Sequence, residues 1–349
     1  MKKSVRVGSI TVGGVGSVSV QSMLNCPSSD FEACAAQIKK LKSAGCGIIR
    51  LAVSGENDIK CSAMLLKEFP EIPLVADIQF DYRLAVKCAE IGFSKVRINP
   101  GNIGGTDKVR MVADACKAHG VAIRVGVNGG SVEKEFEQKY GVGAKALSES
   151  ALKGVSLLES FGFYDIIVSA KSSSVKTMIE TYRLIDKVCD YPLHIGVTES
   201  GGEGMGNIKS AIGIGTLLAD GIGDTVRVSL TGDPVREVYA AVDILKALNL
   251  RDYCEVVSCP TCSRCRYDMD KLVKEINGLV KGVNKRMKIA VMGCVVNGPG
   301  EAKDADIGIA GGGDKAVIFE KGEVTATLPF ASAVEEFKQK VERLIANVY

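Results

Sequence analysis

The segment KVRINPGNIGGTDKVRMVADACKAHGVAIRVGV, residues 95–127, decides the fold because it contains one complete repeat of strand, helix and strand. Its two ends, 95–101 and 122–127, are rich in valine and isoleucine, which favours β-strands. The stretch between them has the apolar spacing of an amphipathic helix, and His119 stands where a surface histidine is expected, at the helix C-terminus. Such a unit is typical of α/β proteins with a parallel sheet.

The same alternation extends outward in both directions along the chain. Asp30 and Asp233 are expected to be helix N-caps, with Pro234 at the first helical position. Eight strand–helix units in about 250 residues predict a TIM (β/α)8 barrel, whereas a doubly wound open sheet would fit five or six strands better. The strand candidates are 17–23, 48–53, 74–80, 95–101, 122–127, 165–171, 193–199 and 225–230.

The pattern changes after about residue 250, and a second, smaller α/β domain is predicted there. Its strand candidates are 255–260, 288–294 and 307–312, and a hairpin follows within 317–329. A helix over 331–349 closes the chain. The predicted domains are therefore a barrel over 1–250 and an α/β domain over 251–349, with a short linker near 248–252.

The composition excludes several classes of protein. A net charge of +3 shows no general affinity for nucleic acid or membrane. The N-terminus lacks the apolar core of a signal peptide, and no apolar run approaches the roughly 18 residues that span a bilayer. The sequence therefore predicts a soluble cytoplasmic protein, in which most of the 12 cysteines are small buried apolar residues.

Charged residues stand inside strands that should be apolar in a barrel. Burying an unpaired charge costs several kcal/mol, so the four strand arginines Arg50, Arg97, Arg124 and Arg227 need anionic partners. Because the C-terminal strand ends form the active-site face of a barrel, these arginines predict a phosphorylated substrate. Salt bridges to internal acids are the alternative. Further polar candidates at the strand ends are Asp77, Asn99, Asn128, Lys171, His194 and Glu199.

A glycine-rich segment, GGEGMGNIKSA (201–211), follows the seventh strand candidate. Loops after strands seven and eight often bind phosphate in TIM barrels, and Lys209 and Ser210 are expected at the start of the next helix. A tight turn without a ligand is the alternative. His194, inside a strand, is expected to be either a hydrogen-bonded core residue or a residue of the site.

Clustered cysteines in the second domain point to a soft metal centre. Cys259 and Cys262 form a Cys-x-x-Cys pair, and Cys294 is a third soft ligand. This spacing leaves an iron–sulfur cluster, a zinc site and a redox dithiol open. The fourth ligand of a cluster would be Cys254, Cys265 or Glu301.

Several motifs together resemble the 4-hydroxy-3-methylbut-2-enyl diphosphate synthases, the IspG/GcpE family, in their compact bacterial form. The resemblance covers nearly the whole chain and is most specific in its last two motifs. The matching stretches are QSM with Asn25 (21–25), VADI (75–78), FDYR (80–83), RINPGNIG (97–104), RVGVN (124–128), PLHIGVTE (192–199), KSAIGIG (209–215), SCPTCSR (258–264) and GCVVNGPGEA (293–302).

This resemblance implies an oxidoreductase of the non-mevalonate isoprenoid pathway. The family opens 2-C-methyl-D-erythritol 2,4-cyclodiphosphate reductively, with two single electrons from flavodoxin or ferredoxin. It further implies a [4Fe-4S] cluster held by Cys259, Cys262, Cys294 and Glu301. A head-to-tail homodimer is also implied, in which the cluster domain of one chain caps the barrel of the other.

Glu199 is the candidate proton donor to the departing hydroxyl, because a carboxyl buried beside apolar strands can hold a raised pKa; pairing with an arginine is the alternative. Glu301 is expected to be catalytic as well as a cluster ligand. The resemblance also assigns substrate-binding roles in the barrel. The expected substrate-binding residues are Arg50, Asp77, Arg97, Asn99, Arg124, Asn128, Lys171, His194, Lys209, Arg227, Ser229 and Asn297.

Two positions depart from the family pattern. Gln79 stands where many relatives have histidine, and Cys265 replaces a residue that is usually not a thiol. Two rival interpretations remain: a pterin-dependent or aldol-type barrel enzyme with a zinc site, and an electron carrier or scaffold without catalysis.

Overall fold

The computed structural model describes residues 2–295 and 298–346, apart from the side chain of Pro299. The chain divides into two compact units, one up to Leu250 and one from Arg251. In the first unit, strands and helices alternate along the chain. They are β1 (Ser4–Val7), β2 (Ile10–Gly13), β3 (Ser19–Met23), α1 (Phe31–Ser43), β4 (Ile48–Ala52), α2 (Glu56–Glu68), β5 (Leu74–Asp77), α3 (Tyr82–Glu90), β6 (Lys95–Ile98), α4 (Thr106–His119), β7 (Ala122–Asn128), α5 (Lys134–Tyr140), α6 (Ala144–Ser160), β8 (Ile166–Lys171), α7 (Val175–Asp186), β9 (His194–Ile195), α8 (Glu203–Ala219), β10 (Thr225–Val226) and α9 (Pro234–Ala247).

The first unit is a parallel barrel, as predicted. Strands β3 to β8 pair in chain order, and β10 lies between β3 and β9. A bridge between Val168 and Leu193 joins β8 to the segment at β9 and closes the ring. The predicted N-caps are also confirmed, because Asp30 accepts a hydrogen bond from the backbone N–H of Ala33 and Asp233 from that of Val235.

An antiparallel hairpin of β1 and β2 precedes the barrel and was not predicted. Its buried residues Val5, Val7 and Val12 form one apolar cluster with barrel residues near the N-terminal ends of four strands. The hairpin therefore packs on the end of the barrel opposite the C-terminal strand ends. The barrel residues in this cluster are Ile48, Val75, Ala122 and Ile167.

The second unit is a five-stranded mixed sheet with helices. Strands β11, β12 and β13 run parallel, and β14 and β15 are antiparallel. The predicted turn is confirmed, because Lys321 and Gly322 both have positive φ between β14 and β15. The elements are β11 (Cys254–Ser258), α10 (Met269–Leu279), β12 (Met287–Met292), α11 (Gly298–Glu301), β13 (Ile307–Gly311), β14 (Lys315–Glu320), β15 (Glu323–Pro329) and α12 (Phe330–Ala346).

The helix predicted over 331–349 corresponds to α12, and its last three residues lie outside the described part of the chain. No helix among the described residues is long and apolar enough to cross a membrane.

Candidate functional site

The barrel interior carries charge where most barrels carry branched apolar side chains. Asp77 is its principal anion and lies between two arginines. Arg97 Nη1 is 3.1 Å from Asp77 Oδ1, and Arg50 Nε is 3.9 Å from Asp77 Oδ2. Burial alone would raise the pKa of Asp77, but Arg50, Arg97 and Arg124 hold that pKa below its usual value. Asp77 is therefore a structural counter-charge that positions two cations.

Arg124 and Lys171, two other basic residues that the sequence predicted for the site, form no salt bridge with the described residues. Arg124 is 1% exposed and donates from Nη1 to Ser169 Oγ at 2.8 Å, but its Nε and Nη2 have no hydrogen-bond partner among the described residues. Lys171 is 6% exposed and lies at the C-terminal end of β8. Burial and neighbouring positive charges lower the pKa of both side chains. A bound anion would supply the charge that both groups lack.

Arg227 differs, because its partner lies on a helix. Its Nε and Nη2 donate to the two carboxylate oxygens of Glu237 at 3.2 and 3.0 Å. Glu237 is 3% exposed and also accepts from Ser22 Oγ and from the backbone N–H of Leu230. The internal-acid alternative is therefore correct for Arg227, as it is for Arg50 and Arg97 through Asp77. The sequence analysis missed Glu237 because it searched for acids only in and near the strands.

A deeper set of polar residues lies below these cations. His194 is fully buried; its Nδ1 is 2.8 Å from Thr225 Oγ1, and its Nε2 is unpartnered in the described part of the chain. Lys95, which the sequence analysis missed, donates to Gln21 Oε1 at 3.3 Å. Burial lowers the pKa of both His194 and Lys95. The signal for Lys95 was its position two residues before Arg97, which puts both on one face of β6.

Small residues leave room for the interior cations. A Cβ at Gly126 would lie 2.4 Å from Arg97 Nε, and a Cβ at Gly196 would lie 3.2 Å from Lys171 Nζ. Asn99 is buried beside them; its Oδ1 accepts from the backbone N–H of Gly101, and its Nδ2 has no partner within residues 2–295 and 298–346. Gly126 and Gly196 thus leave room for the Arg97 and Lys171 side chains, and Asn99 Nδ2 is a donor that a ligand could use.

The remaining candidates lie towards the surface. Glu199 is exposed, so the expectation of a buried carboxyl is wrong, and its φ of 53° is a strained backbone conformation for a residue other than glycine. Asn128 is also exposed, at a short turn after β7. The backbone carbonyl of Ser229 accepts from Ser200 Oγ.

The start of helix α8 differs from its prediction. The helix begins at Glu203, so Lys209 and Ser210 lie about two turns inside it and not at its first turn. The glycine-rich residues before Glu203 form the loop that precedes the helix. Lys209 is half-buried, and the buried Ser210 Oγ has no hydrogen-bond partner in the described residues.

The cysteines of the second unit line the ends of β11 and β12. Cys259 Sγ accepts a hydrogen bond from the backbone N–H of Gly293 at 3.1 Å. A backbone hydrogen bond from Arg264 and the charge of its guanidinium lower the pKa of the exposed Cys262 thiol. The same guanidinium also interacts with Cys294. Arg264 thus lies against two of the three predicted thiolate ligands.

The other two cysteine candidates make different contacts. Cys265 Sγ donates to the carbonyl of Tyr267 at 3.3 Å, while Cys254 is buried in the core and its pKa is raised to about 11 by burial. Glu301 is exposed at the end of α11, and Asn297 lies outside the described residues. The structure does not bring three or more described Cys, His, Asp or Glu side chains into a metal-binding arrangement.

A TIM barrel with a cation-rich interior, followed by a separate α/β unit with clustered cysteines, defines a class of two-unit barrel proteins. Family models identify the chain within that class. The GcpE TIM-barrel domain matches residues 2–242, and the GcpE protein C-terminal domain matches residues 255–343. The chain belongs to the GcpE family, and the prediction that it is an enzyme of this family is confirmed.

Curated relatives match over almost their whole length. A 4-hydroxy-3-methylbut-2-en-1-yl diphosphate synthase (flavodoxin) from Ruminiclostridium cellulolyticum is 50% identical, with 98% of this chain and 97% of the relative covered. A protein of the same name from Clostridium perfringens is 51% identical, with 98% of each chain covered. The similarity therefore includes both units.

Solved structures match the fold alone. Type I 3-dehydroquinate dehydratase from Clostridium difficile has a TM-score of 0.52 and 17% identity, covering 71% of this chain and 98% of its own. Dihydropteroate synthase from Thermus thermophilus has a TM-score of 0.50 and 13% identity, covering 71% of this chain and 99% of its own.

Proposed function

We propose that the chain converts 2-C-methyl-D-erythritol 2,4-cyclodiphosphate to 4-hydroxy-3-methylbut-2-enyl diphosphate, with two electrons delivered singly by flavodoxin or ferredoxin. The observation that carries this proposal is about 50% identity, through both units, to relatives named for that product and for flavodoxin. This reaction would belong to the non-mevalonate pathway of isoprenoid synthesis. In the proposed reaction the cyclic diphosphate opens at a carbon–oxygen bond, and a hydroxyl leaves as water.

The barrel interior supports a diphosphate substrate. Arg124 and Lys171 are buried basic residues that form no salt bridge with the described residues. Arg50, Arg97 and Arg227 lie in the same interior, and each is paired with a carboxylate. Guanidinium groups match phosphate oxygens in geometry as well as charge. We assign further substrate-binding roles to Asp77, Asn99, Asn128, His194, Lys209, Ser229 and Asn297, with Asp77 acting through the arginines.

We assign proton delivery to Glu199. Its carboxyl is exposed at the C-terminal edge of the barrel, two residues beyond the buried Val197. In this role the carboxyl would pass a proton from solvent to the departing hydroxyl. The strained backbone at Glu199 supports a functional role, because such strain persists where the site requires it.

We assign Cys259, Cys262, Cys294 and Glu301 as ligands of a [4Fe-4S] cluster. The donor set fits, because thiolates are the ligands that iron–sulfur clusters use, and the Gly293 N–H already donates to Cys259 Sγ. Positive charge from Arg264 favours the thiolate form of Cys262, the form that binds metal. Such a cluster, when bound, supplies the single electrons that the substrate requires.

Two further features belong to the proposal. The anion site and the cysteines lie in different units, which supports a head-to-tail homodimer in which the cysteines of one chain serve the barrel of the other. We also propose a cytoplasmic location, because all twelve cysteines are free and reduced thiols persist in that compartment.

The test begins with protein purified without oxygen, its visible spectrum, and a count of iron and sulfide. About four irons per chain and a brown colour are expected. Glu301→Ala should lose the cluster more readily, while Glu323→Ala, an exposed glutamate of the same unit, should not. Zinc in a colourless protein would overturn the mechanism and favour the rival barrel enzyme.

A further inference from the structure

Two cysteines of the barrel lie in contact at a place that the proposed reaction does not use. Cys26 lies in the loop between β3 and α1, and Cys34 is the fourth residue of α1. Their Sγ atoms are 3.5 Å apart. Neither belongs to the unit that holds the proposed cluster ligands. Sulfur atoms at this separation are in van der Waals contact, and a disulfide bond of about 2.05 Å requires a further approach of only about 1.5 Å.

The two thiols differ in access. Cys26 is half-buried and lines a surface cavity of about 310 Å³, whereas Cys34 is fully buried and is not part of the lining. Lys40 and Asp233 line the same cavity and supply one charge of each sign, and Asn25 and Gln37 supply amides. The cavity thus suits a small zwitterionic reagent, which reaches Cys26 and not Cys34.

We propose that Cys26 and Cys34 form a thiol–disulfide exchange site for a small zwitterionic disulfide of the glutathione class. The Cys26 thiolate attacks one sulfur of the reagent, forming a mixed disulfide and releasing one thiolate. Cys34 then gives up its proton and attacks Cys26 Sγ, which forms the Cys26–Cys34 bond and releases the second thiol. The protein loses two electrons and two protons, and the reagent is reduced to two thiols.

The surroundings of the pair set this order. Burial raises the pKa of Cys34, whose thiol donates to the carbonyl of Pro27 at 3.4 Å, so it is a poor first nucleophile. Cys26 is held by a weak contact with Gln37 Oε1 at 3.7 Å. Once Cys26 carries a leaving thiol, contact between the two sulfurs makes Cys34 the resolving group. Cys61 also contacts Cys34 and is the competing partner.

The bond would restrain the loop at the C-terminal end of β3. Asn25 Nδ2 in that loop donates to the carbonyl of Gly232, which follows β10, at 3.1 Å. Met23, at the end of β3, accepts from Arg50 through its Sδ at 2.8 Å. The exchange site is therefore connected to Arg50 of the barrel interior, through the backbone between Cys26 and Met23 and the contact of Met23 Sδ with Arg50.

Glutathione disulfide is the probe for the test, added to cluster-containing protein under nitrogen. The protein is then denatured, alkylated and digested with trypsin. Cys26 and Cys34 both fall in the tryptic peptide 7–39, so their bond appears as a loss of two hydrogens without alkylation, independent of the cluster cysteines. The Cys34→Ser variant should accumulate a glutathione adduct on Cys26, Cys26→Ser should leave Cys34 unmodified, and Cys61→Ser should behave as the parent.

Three results would overturn the proposal. Peptide 7–39 with both thiols alkylated would show that the pair does not exchange. A bond between that peptide and 61–67 would make Cys61 the partner of Cys34. Modification of Cys34 in the Cys26→Ser variant would show that access does not run through Cys26. Cys46 is the internal control and should stay reduced, because it is buried and its thiol donates a hydrogen bond to the carbonyl of Ile48.

Discussion

At the scale of single residues, Asp77 determines how much positive charge the barrel interior can hold. It lies beside Arg50 and Arg97, and its carboxylate is buried. Removing one partner of a buried ion pair leaves the other charge uncompensated, which costs far more than the loss of a surface pair. The same removal would also take away the anion that positions the two arginines.

We expect Asp77→Asn to lower the free energy of unfolding by about 3 kcal/mol at pH 7. The folded-state pKa of Asp77 is lowered, so its contribution is complete above the unfolded pKa of about 3.9 and is lost as pH falls through the folded value. Urea unfolding of both proteins at several pH values measures this, and the difference should shrink below about pH 4.

The control is Asp220→Asn, because Asp220 pairs with Arg183 at 2.7 Å on the surface. An exposed pair contributes about 0–1 kcal/mol, so this variant should differ little from the parent at any pH. Equal losses in the two variants would mean that the interior does not depend on Asp77 as a counter-charge.

The position of the four arginines inside strand candidates predicted a charged barrel interior, because a buried barrel strand should be apolar. The sequence also indicates an inward side chain for Lys95, because Lys95 and Arg97 are two residues apart and share one face of β6. It was missed because a lysine at the start of a strand is usually a surface residue. Glu237 lay beyond prediction, because its contact with Arg227 depends on how α9 packs against the barrel. Sequence spacing predicts the face of a helix or strand on which a residue lies, and it does not predict which residues of two elements contact each other.

At the scale of elements, the hairpin of β1 and β2 closes the N-terminal end of the barrel with three buried valines. We expect Val7→Ala to lower the free energy of unfolding by about 2 kcal/mol, because Val7 is fully buried and two methyl groups are lost. Urea denaturation measures the loss. Val15→Ala, at a valine that is 99% exposed, should stay within about 0.5 kcal/mol of the parent, and similar effects at both positions would contradict the closing role.

The last barrel strands are shorter than their sequences suggest. Residues 193–199 predicted a full strand, but β9 spans only His194–Ile195, and β10 spans only Thr225–Val226. The backbones approach closely just after these strands, since a Cβ at Gly196 would lie 2.3 Å from the carbonyl oxygen of Arg227. β-Branched composition predicts an extended chain, whereas this close approach depends on the fold of the whole ring.

At the scale of the whole molecule, the apolar cores of the two units share no residue. The clusters of the first unit end before residue 250, and those of the second begin with Cys254. The sequence analysis predicted two domains from the change of pattern near residue 250, where strand–helix repeats give way to a different order of strands and helices. The arrangement of the proposed cluster ligands was less predictable, since Cys-x-x-Cys spacing specifies donors and not where Cys294 and Glu301 lie relative to them.

Separate cores predict that the fragment ending at Leu250 folds alone and binds inorganic pyrophosphate.

Burial lowers the pKa of Lys171, and a bound anion should raise that pKa again. The site should therefore take up protons when it binds the anion, and its affinity for the anion should increase as pH falls. Titration calorimetry in two buffers of different ionisation enthalpy measures the uptake. Lys171→Met should remove most of it and weaken binding about tenfold or more, since a charge-assisted hydrogen bond contributes about 1.5–3 kcal/mol. Lys176→Met, at an exposed lysine of the next helix, should change neither quantity. Binding without proton uptake would show that Lys171 is already charged in the empty site, and an unfolded fragment would show that the barrel needs the second unit.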